Sequence, residues 1–184
     1  MALLGLLLAF LVAVFFLWVS QTLQRSSVGK AYGRHGAAHF VAGDDDGAIL
    51  NFTESILTEP TAATYLGRGA AYFRKGHDDG AIADFTEAIR ISPSFFAYFH
   101  RGGAYFEKGD HERAISDYTD AIRFNPKCAE AYAFRGKSYA RLGDRDSAFA
   151  DAIIADRIGI ADREFREEVK AFLRAAARQK QAEN

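Results

Sequence analysis

His35 and His39 stand four residues apart, the spacing that puts two imidazoles on one face of a helix where they could share a metal ion. Other stretches carry further chemical possibilities. His111-Glu112 begins as a zinc-protease helix does, with a candidate ligand next to a candidate base. Asp44-Asp45-Asp46-Gly47 matches part of a calcium loop, Asn51-Phe52-Thr53 has the form of a glycosylation acceptor, and Cys128 is the single thiol. Each is undercut by its neighbours. Arg113, Ala114 and Ile115 follow where the protease helix would need a second histidine, and the acidic run lacks the remaining calcium ligands. An acidic run also suits the positive end of a helix dipole. One cysteine makes neither an intrachain disulfide nor a cysteine-rich zinc site. No nucleophile with a base, phosphate-cradling loop or paired-carboxylate site emerges. The sequence reads as a non-enzyme with no catalytic residue, no metal and no cofactor.

What positions these residues is a repeat. The stretch from Tyr98 to Pro126 falls on Tyr65 to Pro93 when slid back 33 residues, a further step reaches Tyr32 to Pro60, and a step forward of 34 reaches Tyr132. Four copies follow, 29–61, 62–94, 95–128 and 129–160. Such a period belongs to stacked supersecondary units rather than to one globular core. Within the third copy, Tyr98, Gly102 and Tyr105 recur at helical spacing, Gly109-Asp110 interrupts, and Ala114, Tyr118, Ala121 and Ile122 resume the pattern. Each copy therefore predicts two helices and a tight turn, with Gly109 ending the first helix and Asp110 capping the second. Pro60, Pro93 and Pro126 share one column, where proline stops the second helix. The same columns dispose of two motifs. His35 occupies the place of Arg68, Arg101 and Arg135, and His39 that of Tyr72, Tyr105 and Tyr139, so packing is expected of both histidines. Asn51-Phe52-Thr53 aligns with Asp84-Phe85-Thr86 and Asp117-Tyr118-Thr119, which makes the glycosylation match a by-product.

The order Tyr65, Arg68-Gly69, Tyr72, Ala81, Phe85, Ala88, Pro93 resembles the tetratricopeptide repeat, and the resemblance covers residues 29 to about 160. It implies an all-α fold: a right-handed α-α superhelix of about four helix hairpins. The first copy departs from the pattern with His39 for tyrosine, and the fourth with Ala152 for the second-helix aromatic and Ile160 for proline. Atypical terminal copies are expected where one side faces no neighbour. Gly36, Gly69, Gly102 and Gly136, with Ala48, Ala81, Ala114 and Ala148, are expected where the two helices of a copy cross. Residues 161–180 form one further amphipathic segment, with Phe165, Val169, Phe172, Leu173 and Ala176 on one face, read as a capping helix.

Ahead of the array, residues 1–24 form an apolar segment that predicts a separate N-terminal hydrophobic helix. Ala2 to Val19 carry no charge, enough for about 27 Å of helix at 1.5 Å per residue against a hydrocarbon core of about 30 Å. No basic residue precedes the segment and no small-x-small cleavage site follows, so an uncleaved single-pass anchor through residues 3–19 is expected rather than a signal peptide. Arg25, Lys30 and Arg34 follow it, which places the repeats on the cytoplasmic side of the membrane. Export after cleavage is the alternative. The formal charge of -1 gives no cationic footprint for nucleic acid.

Two expectations concern side chains. Arg68 with Asp84, Arg101 with Asp117, and Arg135 with Asp151 change together with His35 and Asn51 of the first copy, which predicts an ion pair within each hairpin and a neutral version in the first. The resemblance further implies that the first helices line a concave groove for a protein or peptide. Phe40, Leu66, Phe73, Phe96, Phe99, Phe106, Lys137 and Arg141 fall on that face. Chaperone-binding members of the family grip a terminal carboxylate there with Lys and Asn, and this face has no asparagine. The expected partner therefore offers an apolar segment. The leading function is a membrane-anchored scaffold or adaptor; an exported adaptor, or a metal protein or enzyme using His35 and His39, are the alternatives.

Overall fold

The computed structural model describes the backbone of residues 2–160 and 163–182, and the side chains of residues 14–22, 24–160, 163–175 and 178. Nine helices and no strand occur among them: α1 (Ala2–Val41), α2 (Asp45–Thr58), α3 (Ala62–Arg74), α4 (Asp78–Ile91), α5 (Phe95–Glu107), α6 (His111–Phe124), α7 (Ala129–Arg141), α8 (Arg145–Ile158) and α9 (Arg163–Ala182). They pair in order as hairpins, α1 with α2 through α7 with α8, and each hairpin packs on the next, making an α-helical solenoid. The turns are built as their residues dictate. Gly43, Gly76, Gly109 and Gly143 take positive φ at the end of each first helix. Asp44, Asp110 and Asp144 then accept the amides of Gly47, Arg113 and Ser147 to start α2, α6 and α8.

The N-terminus departs from the expected separate helix. The apolar segment and the first helix of the first copy are one continuous helix, α1. The physical reason lies at residues 20–28, which contain no proline or glycine, and where the Ser20, Thr22 and Ser27 hydroxyls donate back to the carbonyls of Leu17, Val19 and Gln24. Hydroxyls satisfied within the helix cap nothing, so nothing stops it. Among the described residues no helix is long and apolar enough to cross a membrane. Most of the expected anchor, residues 3–13, lies outside the described side chains; Val14 to Trp18 are exposed. Ser26 donates to Glu59 at 2.9 Å and Ser55 to the Gly29 carbonyl at 2.8 Å, which fastens the C-terminal half of α1 to α2.

The core is a row of small clusters rather than a single centre: one between the first and second hairpins, one between the second and third, and one between the fourth hairpin and α9. Its repeating element is the aromatic residue of the second helix. A Cβ on Gly69 would stand 2.8 Å from the Phe85 ring, and one on Gly102 3.1 Å from that of Tyr118. Phe52 faces Gly36 in the same way. The glycines of the first three copies thus admit this ring, where close approach to the alanine column was expected. In the fourth copy, with Ala152 in place of the ring, Gly136 meets the Ala148 carbonyl and Asp151 instead. On its far side each ring meets the next hairpin. Phe85 stacks on His100 at 5.8 Å and Tyr118 on Phe134 at 5.9 Å, while Phe52 lies over Gly67.

All three expected ion pairs form. Arg68, Arg101 and Arg135 each donate twice to Asp84, Asp117 and Asp151 at 2.8 Å, and the aspartates are about nineteen-twentieths buried. The third guanidinium nitrogen crosses to the preceding hairpin, donating to Thr53, Thr86 and Thr119 at 3.1, 3.1 and 3.0 Å. The neutral version expected in the first copy is absent: Asn51 donates to the Gly47 carbonyl of its own helix, and His35 is exposed. With no hairpin before it there is no threonine for that position to reach.

The C-terminal segment packs as a cap. Val169 is buried with Ile160, Ala152 and Ala155, and Phe165 and Leu173 lie against them; Ala176 lies outside the described side chains. Two outcomes check this account. Gly102→Leu drives a side chain into Tyr118 and costs about 1–3 kcal/mol, read as a lower urea midpoint at unchanged slope. Asp117→Ala strands a half-buried guanidinium and costs about 3–5 kcal/mol, whereas Asp120→Ala, which breaks the exposed pair with Arg123, costs about 0–1.

Candidate partner-binding groove

Successive first helices touch one another, α1 with α3, α3 with α5 and α5 with α7, more closely than successive second helices do. Shorter spacing along one side curves the stack, so the first helices line its inner face. On that face the structure brings Phe73, Phe99 and Phe106 together around a cavity of about 200 Å³, with Gly103 at its base. His100, Glu107, Tyr118 and Phe134 complete the walls. None of these four was among the groove residues expected from the sequence. The signal was available for two of them: His100 and Phe134 share the column that meets the preceding aromatic, one step before the conspicuous Arg-Gly pair.

The remaining candidates divide. Phe96 is 62% exposed beside Phe95, and Leu66 and Phe99 are half-buried. Phe99 also packs against Tyr118 and Phe134, with ring centroids 5.8 and 5.9 Å apart, so it works between repeats as well as on the surface. Phe40 is covered: the Arg74 guanidinium lies 4.0 Å above its ring and donates to its carbonyl. Lys137 turns to the cap, with Nζ 2.8 Å from Glu168 and 4.4 Å from the Phe165 ring centre. Arg141 is exposed. A second cavity of about 420 Å³ opens between α1, α2 and α3, where Gly33, Ala37 and Ala63 are small and Lys30 and Arg34 stand at the edge.

Of the residues that suggested chemistry, His35, expected to pack, is instead exposed, and His111 packs its ring on Phe106 at 5.2 Å. His39 Nδ1 lies 2.7 Å from Asp44, whose carboxyl is held below the usual carboxylate range by the Gly47 amide and then by His39. Asp45 pairs with Arg74 and Asp46 with Lys75, joining the first hairpin to the second. Cys128 lies against Glu130, and burial pushes its thiol up, away from the reactive thiolate. No group of three or more metal-ligating side chains occurs among the described residues.

His100 is the one imidazole that lines the aromatic cavity. Burial between Phe85 and Phe99 lowers its pKa below the ordinary value of 6.5. In the window between those two values the unfolded chain holds a proton that the fold refuses. Stability is therefore full above about pH 6.5 and falls as pH drops towards the folded pKa. His100→Phe, which installs the residue found at Phe134, should lose less stability than wild type between pH 7 and pH 5 in urea titrations.

Comparison with known proteins agrees with this architecture. Residues 62–95 match the model of the tetratricopeptide repeat, and residues 102–143 match a TPR repeat model. No curated protein sequence matches. Among solved structures, that of MamA superposes with a TM-score of 0.70 at 23% identity, covering 84% of this chain and 92% of that one. YrrB, described as a TPR protein with an unusual peptide-binding site, gives 0.71 at 20% identity over 79% of this chain and 76% of that one. The first TPR of Spaghetti (RPAP3), bound to the HSP90 peptide SRMEEVD, gives 0.58 at 25% identity over 64% and 94%. The pairing of helices, the glycine-aromatic contacts and the matched spans lead to one statement: residues 62–95 and 102–143 of this chain are tetratricopeptide repeats.

Proposed function

We propose that the protein is a non-catalytic scaffold whose inner face binds a protein or peptide partner through an apolar anchor side chain. The observation that carries this reading is the cavity of about 200 Å³ framed by Phe73, Phe99, Phe106 and Phe134, with Phe96 exposed earlier on the helix that carries Phe99. Aromatic walls around a hole of side-chain size suit one Leu, Phe or Met of an amphipathic helix or extended segment, and such anchors carry most of the affinity at an interface. Peptide binding by YrrB and by the Spaghetti domain supports the same use of this fold.

The experiment turns on Gly103. A Cβ there would meet Phe73 and Tyr118 only at ordinary contact distances, 3.6 and 3.8 Å, so Gly103→Leu fills the cavity without forcing its walls apart. Selection from a displayed peptide library should enrich apolar-anchored peptides on the wild-type protein, and Gly103→Leu should lose them while keeping its thermal midpoint. Equal binding by the filled variant would end this reading. Phe99→Ala is the poorer probe, because Phe99 also holds neighbouring repeats together.

We further propose that the uncharged N-terminal half of α1 anchors the stack to a membrane, with the repeats on the cytoplasmic side. Support comes from the charge-free stretch Ala2 to Gln24 and from the exposed Val14 to Trp18, which find no partner surface within the solenoid. In cells the protein should stay with the membrane pellet through alkaline carbonate, and Leu7→Arg combined with Phe10→Arg should release it. A wild-type protein recovered in the supernatant, with Edman sequencing starting beyond residue 19, would instead identify the exported form.

A further inference from the structure

We propose that one end of the solenoid is a lipid-contact surface, a rim that lies against the headgroups of an anionic membrane; this rests on the anchoring role of α1. Alternation of helix direction puts the N-termini of α3, α5 and α7 and the C-termini of α2, α4, α6 and α8 at the end from which the apolar half of α1 projects. Exposed apolar side chains gather there. Ile91, Phe124 and Ile158 occupy a single column at the ends of α4, α6 and α8, and Leu57 lies beside the first member of that column at the end of α2. Each keeps more than a third of its surface exposed, Phe124 with one face stacked on Tyr98, and among the described residues the opposite end has only Val41 and Leu142 of comparable kind.

Charge separates the two ends as well. Along this rim stand the cations Arg90, Arg123, Lys127 and Arg157, with the acids Glu59, Glu130 in the first turn of α7 and Asp156 beside Arg157. Arg90 and Arg123 share their charge with Glu87 and Asp120, one turn back, while Lys127 and Arg157 form no ion pair among the described residues. The opposite end begins its helices with acids, Asp45, Asp46, Asp78, Asp79, Glu112 and Asp146, of which Asp45, Asp46 and Asp79 pair with Arg74, Lys75 and Lys108. Exposed apolar side chains interleaved with cations are what an anionic lipid–water interface takes up.

The rise along α1 sets how near the rim comes to the bilayer. Because α1 is continuous, Ser26, which touches Glu59 on the rim, lies eight residues beyond Trp18, a rise of about 12 Å. With Trp18 at the edge of the hydrocarbon, a headgroup layer of about 5–8 Å leaves the rim facing lipid at close range.

The test uses the full chain reconstituted into vesicles of phosphatidylcholine and phosphatidylserine. In a Cys128→Ser background, Phe124→Cys, Ile158→Cys, Val41→Cys and Phe15→Cys are each labelled with an environment-sensitive fluorophore and exposed to doxyl lipids. Labels at 124 and 158 should shift to the blue and lose emission to shallow doxyl groups, with the shift reduced by salt. The label at 41 should do neither, and the label at 15 should be quenched by deep doxyl groups. Quenching at 15 with none at 124 and 158 overturns the rim and leaves the anchor standing. No quenching at 15 removes both. A rim signal that follows the protein-to-lipid ratio identifies a second copy as the occupant and likewise overturns the proposal.

Discussion

The buried aromatic of each second helix is the contact on which the solenoid depends. Phe85 has no exposed surface: one side of its ring fits against Gly69 of its own hairpin and the other against His100 of the next. A ring shared in this way cannot be buried by either hairpin alone, so the units become stable only by stacking. Tyr118 repeats the arrangement with Gly102 and Phe134, and Phe52 with Gly36 and Gly67. At the fourth hairpin the ring is gone, Ala152 takes its place, and the apolar face is closed by Val169 and Phe165 of α9. The stack ends where no further ring asks for a neighbour.

Apolar rings hold the hairpins together but do not by themselves prevent sliding. The arginine of each first helix supplies direction. Its two-point bond to the aspartate fixes the guanidinium within the hairpin, and its third nitrogen marks one threonine on the hairpin before. Such a buried pair is weak evidence for net stability, since desolvation offsets much of the attraction, but it penalises any register that leaves the charge unpaired. Both ends of the series obey this logic. His35 stands where no threonine precedes, and Ile153 stands where no arginine follows.

With these tasks taken by the glycine, aromatic, arginine and aspartate columns, the remaining first-helix positions are free to differ among copies. Gly33, Leu66, Phe99 and Ala133 share one column, and Ala37, Ala70, Gly103 and Lys137 another. Their variation makes the inner face uneven: a wide cavity beside the small residues of α1 and α3, and an aromatic one around Gly103. Individual pockets on a regular frame are what a selective binding surface requires.

Much of this was legible in the residues themselves. Periodicity set the hairpins, glycine and aspartate marked the turns, and correlated changes of arginine with aspartate within a copy revealed the ion pairs, because all of these act over a few residues or one hairpin. Contacts between copies were not legible in the same way. That Gly69 admits a ring rather than a helix backbone, that Arg68 reaches back to Thr53, that Arg74 covers Phe40 and that Glu168 draws Lys137 out of the groove all depend on how far and at what angle one hairpin lies from the next. That spacing is decided by side-chain volumes packing together across the whole stack, so it belongs to the tertiary structure. The fusion of the apolar segment with the first repeat was of the mixed kind. The absence of a helix breaker between residues 20 and 28 stood in the sequence, and only the folded chain, with Ser26 and Gly29 held against α2, fixed where the free part of the helix ends and the solenoid begins.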